Sequence, residues 1–583
     1  MKRRSITSHA LSLRDLRAAG DAERDRANWA AASYHYMKLL EHEPADAALW
    51  LQHGHVLKET GLFAQARRSY ERARVLRPED PEPQLQLAIL SKIQGNFDAA
   101  EADFEEAGRL GYQPRSFIEG EIAFLRRTRS APPTRASVAA AGTRIYLSSV
   151  FLPVPEADPG HLKLFLGGTH YSYGFSMKRY QDALERAGYE CEVVRNPEYV
   201  PDIRARSAAP TNLHIGFYPP DGPRYLKGAH NIICLAWEFE RLKTSAETCS
   251  YHAFADPVAM LARAQEIWAL SAYGAEALRR SGVPNVSSVP GPVPAAREAG
   301  RAARPNLAEL QRLALRIDRV TWVPLAVWPA MQPTLSQQSL ARRGSLLNTL
   351  LEVEEEQAPV LFLCVFNVHD FRKQMKPVIE AFVRFAQVHS DAYLLLKVSA
   401  IDSDIVDVNS MLYAEQIVDA GEMTAPLVSD RILLTTDALS RDEMNWLYDA
   451  AAFYVCTSHG EGQNLPLIEA MGRGVVPVSV DHTAMRDYIS PANAIVVPSR
   501  SGPLTPRLTL RYGLYGVDTY YVGAADVFAA LGRARDLPGD AYEALSGAAV
   551  AAVSERFGLE SFTAAVNRAI ANIGTAAAAP RAE

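Results

Sequence analysis

Between residues 28 and 112 the apolar pattern of the chain repeats every 34 positions. Trp29, Phe63 and Phe97 stand in one register, Ala32, Ala66 and Ala100 in a second, and Tyr36, Tyr70 and Phe104 in a third. The spacing predicts two helices per unit. A small alanine lets their backbones approach, the aromatic four residues on fills the groove, and Pro44 or Pro78 stops the second helix. Gly61 and Gly95 mark turns between helices. Two good units preceded by a partial one are near the minimum for a stacked array, so the array is expected to lean on the next domain.

From residue 145 short apolar runs alternate with amphipathic helices, which predicts parallel sheets covered on both faces. KLFLGG, ECEVV, NLHIGFY, NIICLAW and EIWALS read as strands of a first sheet. Between the first two, Met177, Tyr180, Leu184 and Ala187 share one helical face, giving a strand-helix-strand unit. PVLFLCVF, AYLLLKVS, RILLTT, FYVCTS, VVPVSV and AIVVPS read as strands of a second sheet of the same class. The expected fold is α/β, with two doubly wound, Rossmann-like domains behind an all-α repeat module. The boundaries are an amino-terminal extension (1–27), repeats (28–125), a Pro-, Ser- and Arg-rich linker (126–144), a first half (145–340), a second half with closing helices (341–571) and a disordered tail (572–583). Residues 292–320, basic and Ala-rich, read as an insertion near the domain crossing.

Composition narrows the function classes. The 61 basic and 67 acidic residues, net charge -6, are mixed along the chain, so no broad field favours nucleic acid or anionic lipid. Five scattered cysteines without CxxC spacing fit a reducing, cytoplasmic setting. No apolar run approaches the roughly 20 residues that span a bilayer, leaving at most peripheral membrane contact.

Chemistry concentrates in the second half. His459-Gly460-Glu461-Gly462-Gln463-Asn464-Leu465-Pro466 follows the strand FYVCTS and opens a helix that carries Glu469. The glycines allow close backbone approach, and loop amides with the positive helix end can hold a diphosphate without metal. Glu461 is then placed to reach a sugar and Glu469 a ribose. Gly168, in the Gly167-Gly168-Thr169 loop, lies at a sheet edge where open parallel sheets bind ligands, and Lys397 ends the strand AYLLLKVS near the phosphate site. Trp237 and Glu238 follow an apolar strand and are acceptor-side candidates. Asp402-Ser403-Asp404 spells a metal-binding string, but such triplets arise by chance among so many acids.

The repeat pattern resembles tetratricopeptide repeats, which commonly offer a concave surface to a partner. The segment HGEGQNLPLIEAMGRGVVPV resembles the E-x7-E motif of the large GT-B glycosyltransferase family that retains anomeric configuration; Glu461, Gly462, Leu465, Pro466, Glu469, Ala470, Met471, Gly474 and Pro477 fill it. The departure is Asn464 where glycine is usual, and asparagine tolerates positive φ. FNVHDFRKQMKPVIEAFVRF resembles the family's first donor-domain loop, which implies that Arg372 and Lys373 bind the donor diphosphate. WEFERLK and AQEIWALSAYGAEALRRSGV resemble the first half more loosely.

The resemblance implies a metal-independent hexosyltransferase that moves a sugar from a nucleoside diphosphate sugar to a hydroxyl of a glycan or protein acceptor. Glu461, Arg372 and Lys373 would carry the chemistry. Glu469, Gly460, Gly462, Asn464, Leu465, Gly168 and Lys397 would bind the donor, with no cofactor and with the repeats docking acceptor or partner. The alternative is a repeat scaffold whose transferase-like half binds a sugar nucleotide without turnover. An intact basic pair and both glutamates favour the enzyme.

Overall fold

The computed structural model describes residues 13–26, 28–59, 62–93, 97–130, 142–150, 171–205, 207, 209–244, 247, 256–293, 297–326, 358–367, 370–399 and 428–578. The chain divides into two compact units: the repeats with Asn196–Ala208 and Leu226–Gly228, and the remainder.

In the first unit the described helices are Leu13–Asp25, Trp29–His42, Ala47–Glu59, Phe63–Leu76, Pro81–Ile93, Phe97–Arg109 and Arg115–Ser130. Ala32, Ala66, Ala100, Tyr36, Tyr70 and Phe104 are all buried, as their period requires. Two boundaries are corrected. Leu13–Asp25, within the span read as an extension, is a repeat helix: a Cβ at its Gly20 would stand 2.8 Å from Tyr36 Cε1, so glycine is what lets the two helices touch. Arg115–Ser130 runs into the span read as a linker, where Arg126 donates to Glu101 at 2.6 Å. Asn196–Ala208 and Leu226–Gly228, which lie between strands of the first sheet in the chain, complete this unit. Tyr199 packs its ring 6.0 Å from that of Phe63, and Ile203 N–H donates to the Lys227 carbonyl at 2.9 Å.

The second unit holds both sheets. The first comprises β1 (Thr143–Ser149), β2 (Cys191–Val193), β3 (Thr211–Phe217), β4 (His230–Leu235), β5 (Glu266–Ala269) and β6 (Val286–Ser288), all parallel, in the order β2-β1-β3-β4-β5-β6. β1 and β6 were not among the expected strands: β1 follows directly on a low-complexity linker, and β6 is three residues long beside a turn. KLFLGG and the Gly168 loop lie outside the described residues, as does Asp402-Ser403-Asp404.

The second sheet comprises β7 (Val323–Ala326), β8 (Val360–Asn367), β9 (Ala392–Ser399), β10 (Val428–Thr435), β11 (Phe453–Cys456), β12 (Val476–Ser479) and β13 (Ile495–Val496), in the order β13-β12-β11-β8-β9-β10-β7. Counted from β8, its parallel strands follow the 3-2-1-4-5-6 order of dinucleotide-binding folds, and β7 adds an antiparallel edge. The order reverses between β8 and β11, which in open α/β sheets is where ligands bind. The expected architecture of two doubly wound halves behind helical repeats is the observed one.

Residues 292–320 are not a separate insertion. Buried Arg301 donates to the carbonyls of Tyr448, Ala451 and Arg473 at 2.8 to 3.0 Å, and Leu310, Ala314, Ile317 and Val320 enter the core of the second sheet. The second half therefore begins before residue 341. At the other end, Leu559–Ala578 packs Phe562, Ala565, Val566 and Ala569 into the core of the first sheet. It also runs through much of the span read as a tail, because alanine is the best helix former and low complexity alone does not oppose a helix already docked.

Buried in the first sheet, His214 bridges Ser148 Oγ and Asn231 Oδ1 at 2.7 Å each. Burial lowers its pKa from 6.5 to about 4, with the Asn231 contact opposing. The unfolded chain therefore takes up this proton first as pH falls, and His53 and His55, also lowered to about 4 by burial, act in the same direction. Stability should be full above about pH 6.5 and decline toward pH 4. Thermal midpoints at pH 7.5 and 5 check this, and equal midpoints would contradict it. Among the described residues no helix is long and apolar enough to cross a membrane.

Candidate functional site

The site is built on the two loops at the carboxyl ends of β8 and β11. After β8 the chain makes one short turn, Phe371–Lys373, capped by Asp370, whose carboxylate accepts from Arg372 N–H at 3.3 Å. Gln374 then adopts φ 48°, a left-handed conformation, before the helix Met375–Val388 begins. Its buried amide holds the position by donating to the Thr457 and Tyr520 carbonyls at 2.8 and 3.0 Å and accepting from Val522 N–H at 3.2 Å. The β8 loop is thereby tied to the β11 loop and to the hairpin of β14 (Arg500–Pro503) and β15 (Asp518–Tyr521).

After β11 the loop reaches Asn464 and enters the helix Leu465–Gly472. Asn464 has φ 64°, the conformation expected where glycine is usual, and its amide donates to Glu461 at 3.3 Å while its oxygen caps Leu467 N–H at 3.4 Å. Glu461 also accepts from Ser458 Oγ at 2.6 Å and is ion-paired with Lys373. A small pocket at these strand ends is lined by residues that include Cys364, Lys373, Tyr454, Thr457, Ser458 and Asn464.

The first half closes on this cluster. Glu238, in the loop after β4, is ion-paired with Arg372. Arg372 is also gripped by Asp370, which accepts from Nε and Nη2 at 2.8 Å each. Three carboxylates thus face two cations. Burial raises the Glu238 pKa against the pull of Arg372. For Asp370 burial acts the same way, but Arg372 and Lys373 outweigh it and hold its carboxyl well below the usual range. Burial works against both cations, yet Asp370 and Glu238 keep Arg372, and Glu461 and Asp370 keep Lys373, firmly protonated. His459 is lowered to about 4 by burial, so it is neutral at pH 7, and its Nδ1 lies 2.6 Å from the Tyr520 carbonyl.

Gly460 and Gly462 have a role other than the one their motif suggested. A Cβ on Gly460 would stand 2.8 Å from the Glu238 carbonyl, and one on Gly462 would stand 2.5 Å from Ala236 Cβ. In this structure the close approach they permit is to the first half's own loop. Two loop amides are also already engaged, His459 N–H with the Arg372 carbonyl at 2.6 Å and Glu461 N–H with Thr483 Oγ1 at 3.1 Å. Glu469, in the second turn of its helix, is ion-paired with Arg179 of the first-half helix Tyr171–Arg186 and accepts from Tyr448 OH at 2.9 Å.

Of the expected residues, Glu238, Arg372, Lys373, Glu461 and Asn464 meet in one network, with Gly460, Gly462 and Leu465 on its loop and Glu469 beside it. Trp237 does not join them by its side chain: its Nε1 donates to the Arg241 carbonyl at 3.1 Å and its ring packs on Phe239. Lys397 is buried in β9 and donates to the Val398 carbonyl at 3.0 Å, one strand beyond β8 and away from β11. Asp370, Gln374, Arg179 and Tyr448 were not foreseen. Only Asp370 carried a signal, an acid immediately ahead of the basic pair. Among the described residues no three His, Cys, Asp or Glu side chains gather as metal ligands.

No family model matches the chain. A stretch of 75 residues, 13% of the chain, is 35% identical to the provisionally named glycosyltransferase ORF330 of Acidianus filamentous virus 2 (isolate Italy/Pozzuoli), and spans only 22% of that protein's length. Among solved structures, the UDP-forming α,α-trehalose-phosphate synthase of Burkholderia xenovorans, in complex with glucose-6-phosphate, is similar at a TM-score of 0.40 with 12% identity, over 73% of this chain and 99% of that one. The tetratricopeptide domain of Arabidopsis OM64 is similar at a TM-score of 0.19 with 19% identity, over 20% of this chain and 95% of that one.

Proposed function

We propose that this chain is a glycosyltransferase that moves a sugar, with retention, from a nucleoside diphosphate sugar to a hydroxyl of a glycan or protein acceptor. The observation that carries the reading is the meeting of Arg372, Lys373 and Glu461 where the 3-2-1-4-5-6 sheet reverses, with Glu469 on the helix that follows. An open α/β sheet binds nucleotides at that point. The viral relative's provisional name favours the same class.

In this reading the acceptor oxygen bonds to the anomeric carbon as the bond to the diphosphate breaks, and the hydroxyl proton passes to the departing diphosphate oxygen. Arg372 and Lys373 neutralise the charge that grows on the leaving group, which is where such a reaction gains most from fixed cations. Glu461, aimed by Ser458, Asn464 and Lys373, lies beside the oxocarbenium-like sugar and steadies its charge. Glu469 accepts from the ribose hydroxyls.

Nucleotide release during incubation with UDP-, GDP- and ADP-sugars tests the assignment, because weak donor hydrolysis is expected even without acceptor. A protein that binds these donors and releases nothing would be the non-catalytic scaffold. Two further outcomes follow. Glu469→Ala should raise the apparent KM for the donor more than it lowers kcat, and unchanged donor binding by calorimetry would remove Glu469 from the site. Activity should also survive EDTA, since paired cations do the work of a metal. Loss that manganese restores would return Asp402-Ser403-Asp404 to the argument.

The repeats invite a second reading. Docking of an acceptor or partner is what such arrays commonly do, but Asn196–Ala208 and Leu226–Gly228 belong to the repeat unit while their chain neighbours form the first sheet. That interleaving favours a bracing role.

A further inference from the structure

The two side chains assigned above to the polar ends of the donor are each built the same way. Each is anchored by a partner from its own half and capped by an opposite charge from the other. Arg372 gives Nε and Nη2 to Asp370, and its remaining Nη1 to Glu238 of the first half. Glu469 takes the Tyr448 hydroxyl on Oε2 and Arg179 of the first half on Oε1. Glu238 thus puts an anionic oxygen where a phosphate oxygen would pair with Arg372. Arg179 likewise puts an N–H donor where a ribose hydroxyl would donate to Glu469.

We propose that Glu238 and Arg179 act as built-in competitors of the donor, occupying Arg372 and Glu469 until a molecule carrying both a diphosphate and a ribose displaces them. The inference rests on the donor-site reading above. Arg372, Glu238, Arg179 and Glu469 expose only 18%, 17%, 14% and 22% of their side chains, so these pairs are screened far less than surface pairs. Moving Arg372 onto a phosphate strands the Glu238 carboxylate in a poorly hydrated place, and that cost must be offset by the ligand. A diphosphate offsets it by meeting Arg372 and Lys373 together. A monophosphate meets one cation and leaves the cost standing. Because Asp370 and Tyr448 keep their grip, the exchange occurs at one arm of each residue, and Arg372 and Glu469 stay in place for the incoming ligand. Occupancy by the caps raises the apparent Kd for every ligand that must displace them.

The test is calorimetry on the full chain with UDP, GDP, ADP, their monophosphates and inorganic pyrophosphate, for wild type, Glu238→Gln, Arg179→Gln and Lys373→Met. Glu238→Gln should tighten pyrophosphate and the preferred nucleoside diphosphate by about tenfold, and a monophosphate by no more than that. Arg179→Gln should tighten the nucleoside diphosphate by a similar factor and leave pyrophosphate unchanged, since pyrophosphate has no ribose. Should Glu238→Gln unfold, the Arg179→Gln comparison decides alone. Variants that bind no tighter than wild type overturn the inference, as does an Arg179→Gln protein that gains equally for pyrophosphate. If Lys373→Met loses binding while neither cap variant gains any, only the inference falls. If Lys373→Met binds as wild type does, or no protein binds any nucleotide, the donor-site reading falls and takes the inference with it.

Discussion

Lys373→Met should lower donor turnover by roughly two to three orders of magnitude, the scale on which loss of one fixed charge-stabilising group acts in enzymes. Methionine keeps the unbranched length and removes the charge. Lys373 is half-buried, sits at the carboxyl ends of β8 and β11, and is the direct partner of Glu461. In the proposed reaction it faces the departing diphosphate, so kcat should fall more than KM rises. The substitution also leaves Glu461 buried without its cation, and one-sided removal of a buried pair is itself destabilising. The double variant Lys373→Met/Glu461→Gln separates these effects: it should regain much of the thermal midpoint and none of the turnover. Turnover by Lys373→Met within threefold of wild type would remove this lysine from the chemistry.

The second large effect is expected from deleting residues 1–130. A freely attached docking module would be lost without harm to donor hydrolysis, and only transfer to the natural acceptor would suffer, because the local acceptor concentration would drop. The interleaved unit leads to a different expectation. Asn196–Ala208 and Leu226–Gly228 would remain in the truncated chain without the helices they pack with, and Tyr199 would lose the Phe63 ring. These segments connect β2 to β3 and β3 to β4. Loosening them disturbs the strands that carry Glu238. The truncated protein should therefore be poorly soluble or melt well below the full chain, and should hydrolyse donor slowly. Soluble protein with wild-type donor hydrolysis but poor transfer to the natural acceptor would restore the docking reading. Full transfer as well would exclude both roles.

Much of the architecture is readable from local pattern. A period of 34 and a run of β-branched strands bounded by turns are properties of neighbouring residues, so the repeats and most strands of both sheets could be named before any contact was known. The same holds for the Arg372-Lys373 and Glu461-to-Glu469 segments, and for positive φ at Asn464, since a loop entering a helix has local rules. Other strands were harder. β1 and β6 give little periodicity, and β7, with Pro324 on a sheet edge, reads as loop until its partner β10 is known.

What only the tertiary structure decided is which charges meet. Glu238 lies 134 positions from Arg372, and Arg179 lies 290 from Glu469. Their pairing depends on how the first half closes over the second. Spacing along the chain holds no record of that. The glycines at 460 and 462, which make room for the loop at 236–238, owe their roles to the same closure, whereas Gln374, with positive φ and three long-range hydrogen bonds, owes its role to contacts within the second half. The sequence by itself determined most of the elements and the residues proposed to hold a nucleoside diphosphate, because both follow from local chemistry. The structure alone decided that opposite charges from the first half already hold two of them, because ion pairing acts through space.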